Sequence, residues 1–143
     1  MQRAFITAMV LGCAACGLTA PDMTAYQGPD LGDQQLAVVE NRGDCPFCIV
    51  SIEREGYLYF DASRDGLRKS VKLAPGAYEV TYEYRSYKTQ AVRRSDTIEL
   101  KAGHIYDVKR DVCYMFCFDM PSYTTYLWIE DSATGQVVAG VRP

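Results

Sequence analysis

The chain has 143 residues and a formal net charge of −3. That is enough for one domain with a real core, and nothing in it suggests a nucleic-acid partner, which would want a basic face. Tyrosine occurs 11 times while His and Trp occur once each, and a Tyr-rich chain punctuated by Gly and Pro predicts sheet rather than helix.

The N-terminus reads MQRAFITAMVLGCAACGLTA. Arg3 supplies a short positive region, residues 4–12 an apolar run, and small residues with two cysteines follow. This is the pattern of an export signal. The run is too short to span a bilayer, which takes about 20 apolar residues. Removing residues 1–15 takes away one cation, Arg3, and no anion, so the remainder is more acidic still.

Residues 17–34 are rich in Gly, Pro, Asp and Thr and read as a flexible tether. The domain then occupies residues 35–143. Strands are expected at 35–40, 49–54 and 57–62, with a turn at Ser63-Arg64-Asp65-Gly66. A strand at 68–74 ends in the Pro75-Gly76 turn. Residues 77–87 alternate, with Tyr78, Val80, Tyr82 and Tyr84 on one face and Glu79, Thr81, Glu83 and Arg85 on the other. That period of two marks a half-buried strand. Further strands are expected at 97–102 and 104–113, and a hairpin of 124–130 with 136–141 closes the chain. About eight or nine short strands and no helix beyond the signal predict an all-β fold, an antiparallel β-sandwich of the Ig-like or transthyretin-like kind.

Two resemblances add to this reading. The Ala-Cys and Gly-Cys steps after the apolar run resemble the lipobox of bacterial lipoproteins, which implies acylation at Cys16 or Cys13. Neither is followed by Asp, which in that family implies the outer membrane, at its periplasmic face, rather than retention at the inner membrane; a soluble periplasmic protein is the alternative. The stretches Tyr26-Gln27-Gly28-Pro29, Leu73-Ala74-Pro75-Gly76-Ala77-Tyr78-Glu79-Val80, Ala102-Gly103-His104-Ile105-Tyr106, Trp128-Ile129-Glu130-Asp131 and Thr134-Gly135-Gln136-Val137-Val138 together resemble a group of uncharacterised proteobacterial envelope lipoproteins with a β-sandwich. The Pro-Gly-x-Tyr-x-Val piece also resembles the PEGA module of envelope proteins. The resemblance implies fold and compartment and carries over no catalytic residue.

The domain holds Cys45-Pro46-Phe47-Cys48 and Cys113-Tyr114-Met115-Phe116-Cys117. In an exported protein these four cysteines read first as two disulfides, in one of three connectivities. By chain entropy a loop of about four residues contributes roughly 2 kcal/mol and one of about 70 roughly 4. Crossed pairing is therefore the more stabilising choice where geometry permits it. The rival reading is a periplasmic protein with a four-cysteine zinc site or thiol-redox chemistry. The redox form usually needs Cys-x-x-Cys at a helix N-terminus, whereas here the motif runs into strand residues.

No catalytic constellation, cofactor motif or metal motif emerges, and the domain reads as non-enzymatic. His104 stands alone, without a nucleophile signature. Glu130 and Asp131 are adjacent, so on a strand they face opposite ways, and Asp131 shapes a turn. Arg85, Lys88, Arg93 and Arg94 read as a solvated hairpin end. The tyrosines exceed what a core of this size needs. Tyr82, Tyr84, Tyr87, Tyr126 and Trp128, with Tyr114 and Tyr123, are expected to form a surface for an envelope protein or glycan.

Overall fold

The computed structural model describes residues 21–26, 28–42, 45, 47–86, 90–117 and 120–143, with the backbone path alone for 114–117 and 120–122. Ten strands form two sheets packed as a sandwich. They are β1 (Met23–Thr24), β2 (Ala37–Asn41), β3 (Ile49–Arg54), β4 (Tyr57–Asp61), β5 (Ser70–Leu73), β6 (Gly76–Tyr84), β7 (Val92–Leu100), β8 (Ile105–Cys117), β9 (Met120–Asp131) and β10 (Gln136–Gly140). One sheet runs β1-β5-β2-β8-β9-β10 and the other β4-β3-β6-β7.

Strand β6 shows why these residues fold so. Tyr78, Val80 and Tyr82 are buried while Glu79 is exposed and Thr81 and Glu83 are half-exposed. Its partner β7 buries Ile98 and Leu100 opposite. Each large side chain so buried contributes about 1.5–3 kcal/mol against solvent exposure. The phenol of Tyr82 stays satisfied by donating to Asp96 Oδ2 at 2.7 Å. The core adds Val39 from β2, Ile52 from β3, Phe60 from β4, Val71 from β5 and Ile129 from β9.

Three details depart from the expected pattern. The β1–β5 and β2–β8 pairs are parallel, so the larger sheet is mixed. Residues 62–65 form one helical turn instead of a hairpin turn, because Asp61 caps it by accepting from the Ser63 amide at 2.7 Å. Within the stretch read as a tether, Met23 and Thr24 pair with Val71 and Lys72, and Ala25 is buried against the core. Short polar composition hid that strand, which is held by its neighbour rather than by its own propensity.

The registers define two ends of the sandwich. Pro21 O accepts from Lys69 N, and Asn41 N donates to Lys69 O. Asn41 lies opposite Val108. Pro21, Lys69, Asn41 and Val108 therefore stand at one level, at the end where the chain enters. The Tyr84–Val92 end of the β6–β7 hairpin lies at this same end, as does the 45–48 loop, whose Cys48 amide donates to Asn41 Oδ1. The opposite end carries the turns after Arg54, after Leu73, after Leu100 and after Asp131. Beyond Val108 β8 has β9 as its pairing partner, while β9 keeps β10 and Val141 beside it as far as Leu127; from Asp111 and Tyr126 the two strands continue together to Cys117 and Met120.

Candidate binding cleft

At the end opposite the chain entry, the edge strands β1 and β4 leave a cleft of about 450 Å³ between the sheets. Tyr26, Tyr57, Tyr59 and Tyr78 line it with Arg54, and Ala25 and Ala74 complete the wall. Tyr59 reaches it through a bulge. The register moves from Ile52↔Phe60 to Glu53↔Leu58, so Tyr59 is the extra residue on β4. A bulge re-aims side chains, and Tyr59 packs on the core beside Phe60.

The rings stand edge to face. Centroids of Tyr57 and Tyr59 are 4.8 Å apart at 73°, and those of Tyr59 and Tyr78 are 5.4 Å apart at 81°. Such edge-to-face pairs are favoured by the ring quadrupole. The Arg54 guanidinium lies 5.6 Å from the Tyr78 ring centre, within cation–π range. Gly76 permits this approach. Its φ is +144°, and a Cβ there would sit 2.6 Å from Arg54 Nη1. Tyr78 donates to Ala74 O at 2.9 Å. Burial pushes its phenol up, against the opposing pull of Arg54. The cleft therefore offers a neutral buried phenol, the outermost ring Tyr57 at 55 % exposure, and one cation. That chemistry suits a ligand with flat apolar faces and a polar or anionic group.

The tyrosines expected at a surface do not converge. Tyr82, 0 % exposed, belongs to the core, and Trp128, 7 % exposed, is covered on the face of β9 opposite the core residues Leu127 and Ile129, so neither ring is open for binding. Inward alternation of β6 buries the first, and the indole of the second lies near Glu130 Oε2. Tyr84 lines a separate hollow of about 300 Å³ with Phe47 and Cys48, where Arg110 lies 4.3 Å above its ring. Tyr126 is half-buried on β9, opposite Asp111. Tyr87, like Lys88, lies outside the described residues. Tyr123 is exposed, and nothing is described of the Tyr114 side chain. The cleft tyrosines were missed because they come from β4, from β6 and from the segment after β1, and a bulge, which has no clear sequence mark, aims one of them.

Cys45 and Cys48 form a disulfide, with Cα atoms 5.5 Å apart. This local pairing rules out the crossed connectivities. Cys113 is a free, half-buried thiol. A bond from it to Cys117 does not fit one continuous strand, since four residues of β8 cover about 13 Å and a disulfide needs Cα atoms within about 7 Å. Among the described residues one disulfide stands where two were expected. Cys45 and Cys48 are both buried, which removes the access that thiol exchange requires. Among the described residues no cluster of three or more His, Cys, Asp or Glu is placed to hold a metal ion. Cys13 and Cys16 lie outside the described residues.

His104 Nδ1 lies 2.7 Å from Asp131 Oδ2. Asp131 also accepts from the Ala133 amide at 2.9 Å, so the pair clamps the β9–β10 turn. Burial pushes the Asp131 carboxyl up, but the bonds from His104 and Ala133 outweigh it and hold it below its ordinary value. Ser132 Oγ donates to Asp107 at 2.6 Å instead of serving His104. Glu130 faces the other way, to Lys109 at 2.7 Å and Arg142 at 3.3 Å. The basic residues at the β6–β7 end are paired: Arg85 and Arg93 with Glu83, and Arg94 with Asp96.

Comparison with protein-family models, with curated proteins and with solved structures returns no match.

Proposed function

We propose that the chain is a non-enzymatic lipoprotein of the bacterial envelope, held by acyl chains on Cys16 or Cys13 at the periplasmic face of the outer membrane. Its disulfide-stapled sandwich serves as a binding module for an envelope protein or glycan. The observation that carries the binding role is the cleft of Tyr26, Tyr57, Tyr59 and Tyr78 beside Arg54. Aromatic faces stack on sugar rings or anchor a partner's apolar side chain, and residues of this kind dominate binding energies. The export pattern of residues 1–16 supports the compartment. Among the described residues no helix is long and apolar enough to cross a membrane.

Intact mass of the protein from its host membranes tests the anchor: acyl chains on Cys16 or Cys13 are expected, and an unmodified N-terminus overturns it. Photo-crosslinking in the host from a benzophenone amino acid at position 57 tests the cleft. A discrete adduct with an envelope protein or peptidoglycan, lost on Arg54→Ala, is expected. An adduct pattern equal to that from exposed position 134 overturns the cleft as the binding site.

A further inference from the structure

The wall of the tyrosine cleft carries the phenols of Tyr26, Tyr57, Tyr59 and Tyr78, the guanidinium of Arg54 and no carboxylate. Arg54 Nε lies 3.8 Å from Glu55 Oε1, too far for a hydrogen bond, and the Glu55 side chain is 85 % exposed. The guanidinium is thus not neutralised within the cleft. It sits against the Tyr78 ring where an ammonium ligand would sit in an aromatic cage. A resident cation there repels a second cation and attracts an anion. Its single charge and planar fork match one carboxylate. Two missing side chains leave room for these groups: a Cβ at Gly28 would collide with the Tyr26 hydroxyl, and one at Gly76 with Arg54.

The backbone beside the cleft is capped against a partner strand. β4 is the edge of its sheet, but the helical turn at 62–65 folds back on it. Asp65 Oδ2 accepts from the Asp61 amide at 2.9 Å, and Arg64 Nη2 donates to Leu58 O at 3.4 Å. Arg64 and Asp65 are themselves paired at 2.8 Å. The bulge at Tyr59 also breaks the ladder that an added strand would need. The facing edge, β1, is two residues long. Recognition at the cleft therefore falls to side chains and not to main-chain pairing, which disfavours an extended peptide.

Resting on the binding-module reading, we infer that the cleft takes an acidic saccharide, with a sugar ring stacked on the tyrosines and one carboxylate on Arg54. A sugar ring offers apolar C–H faces to the phenol rings and hydroxyls to their polar tips. Tyr57, the most open of the four rings, supplies the stacking face. The volume of about 450 Å³ lies within the range of roughly 300–1,000 Å³ of small-molecule sites.

The test is an NMR titration of the full-length protein with glucuronate, glucose and glucosamine, each as the single sugar and as its tetrasaccharide, read at the Tyr57 and Tyr59 rings. Saturable shifts are expected with glucuronate, about tenfold or more tighter than with glucose, and none with glucosamine. Arg54→Gln is expected to bring glucuronate down to the level of glucose. Tyr57→Ala, read at Tyr59, is expected to weaken both and serves alone should Arg54→Gln misfold. Tighter binding of the tetrasaccharide supports the inference with a polymer as ligand, and equal binding supports it with a free sugar acid. Equal affinity for glucuronate and glucose overturns it, as does glucuronate binding that neither substitution weakens. No sugar binding, with a protein adduct still formed from position 57, overturns it and leaves the binding module with a protein partner. No sugar binding and no adduct beyond that from position 134 overturns the cleft reading as well.

Discussion

The side-chain oxygen of Asn41 accepts hydrogen bonds from the amides of both Cys48, at 3.0 Å, and Ile49, at 3.1 Å. The same amide group donates to Arg68 O at 2.8 Å. One buried side chain thus ties the disulfide loop to the start of β3 and to the strand entering from residue 68. Replacing it by Ala leaves two buried amides without an acceptor. Asn41→Ala is expected to lose about 2–3 kcal/mol in urea unfolding. A loss under 0.5 kcal/mol would show that water replaces the side chain.

The Cys45–Cys48 loop is short, so its bond restrains the unfolded chain only modestly. Cys45→Ser with Cys48→Ser is expected to cost about 2 kcal/mol or somewhat more and to leave the circular dichroism of the sheet intact. Titration of the described domain with a thiol reagent before reduction should find Cys113 reactive and Cys45 and Cys48 silent.

Gly76 is where backbone and cleft meet. Gly76→Ala puts a methyl against the Arg54 guanidinium at a φ of +144° that L-residues avoid. A loss of about 1–3 kcal/mol is expected, together with weaker crosslinking from position 57. Gly56→Ala, with open space around it, should cost stability through φ but leave crosslinking unchanged.

Asp131 makes stability depend on acid. Its carboxyl is held below the ordinary value of 3.8, so the unfolded chain takes up the proton first as pH falls. The contribution is complete above that ordinary value and is lost as pH drops through the lower folded one. Asp131→Asn should flatten the fall of the unfolding midpoint below about pH 4. An unchanged acid limb would assign that fall to other carboxylates, such as Glu130, which Lys109 also holds low.

Tyr82 does the reverse at high pH. Burial pushes its phenol far above 10.0, and Asp96 adds to this. The unfolded chain then loses its proton first, so stability falls as pH rises past about 10. Tyr82→Phe should lose about 1 kcal/mol at neutral pH by leaving Asp96 without this donor, and should show a shallower alkaline decline.

Strands were legible where alternation and turn residues coincide. The run from Tyr78 to Tyr84 and the turn around Asp131 read directly, because a half-buried strand imposes a period of two and Asp closes a turn locally. β1 was not legible, since two residues carry no periodicity and depend on β5 for their pairing. Tyr82 misled as a surface residue because alternation tells which residues share a face, not which face is inside.

Local chemistry in the sequence was thus sufficient for the all-β class, the order of most strands, the role of Asp131 and the presence of a cysteine staple. Only tertiary structure decided which cysteines pair, since pairing follows Cα separation and not the entropy of loop length. It alone decided that Tyr26, Tyr57, Tyr59 and Tyr78 share one cleft with Arg54, because those residues meet through sheet packing and a bulge. It alone also put the continuation of β8 and β9 at the chain-entry end, since that follows from registers linking residues 21, 69, 41 and 108, contacts between strands far apart in the chain.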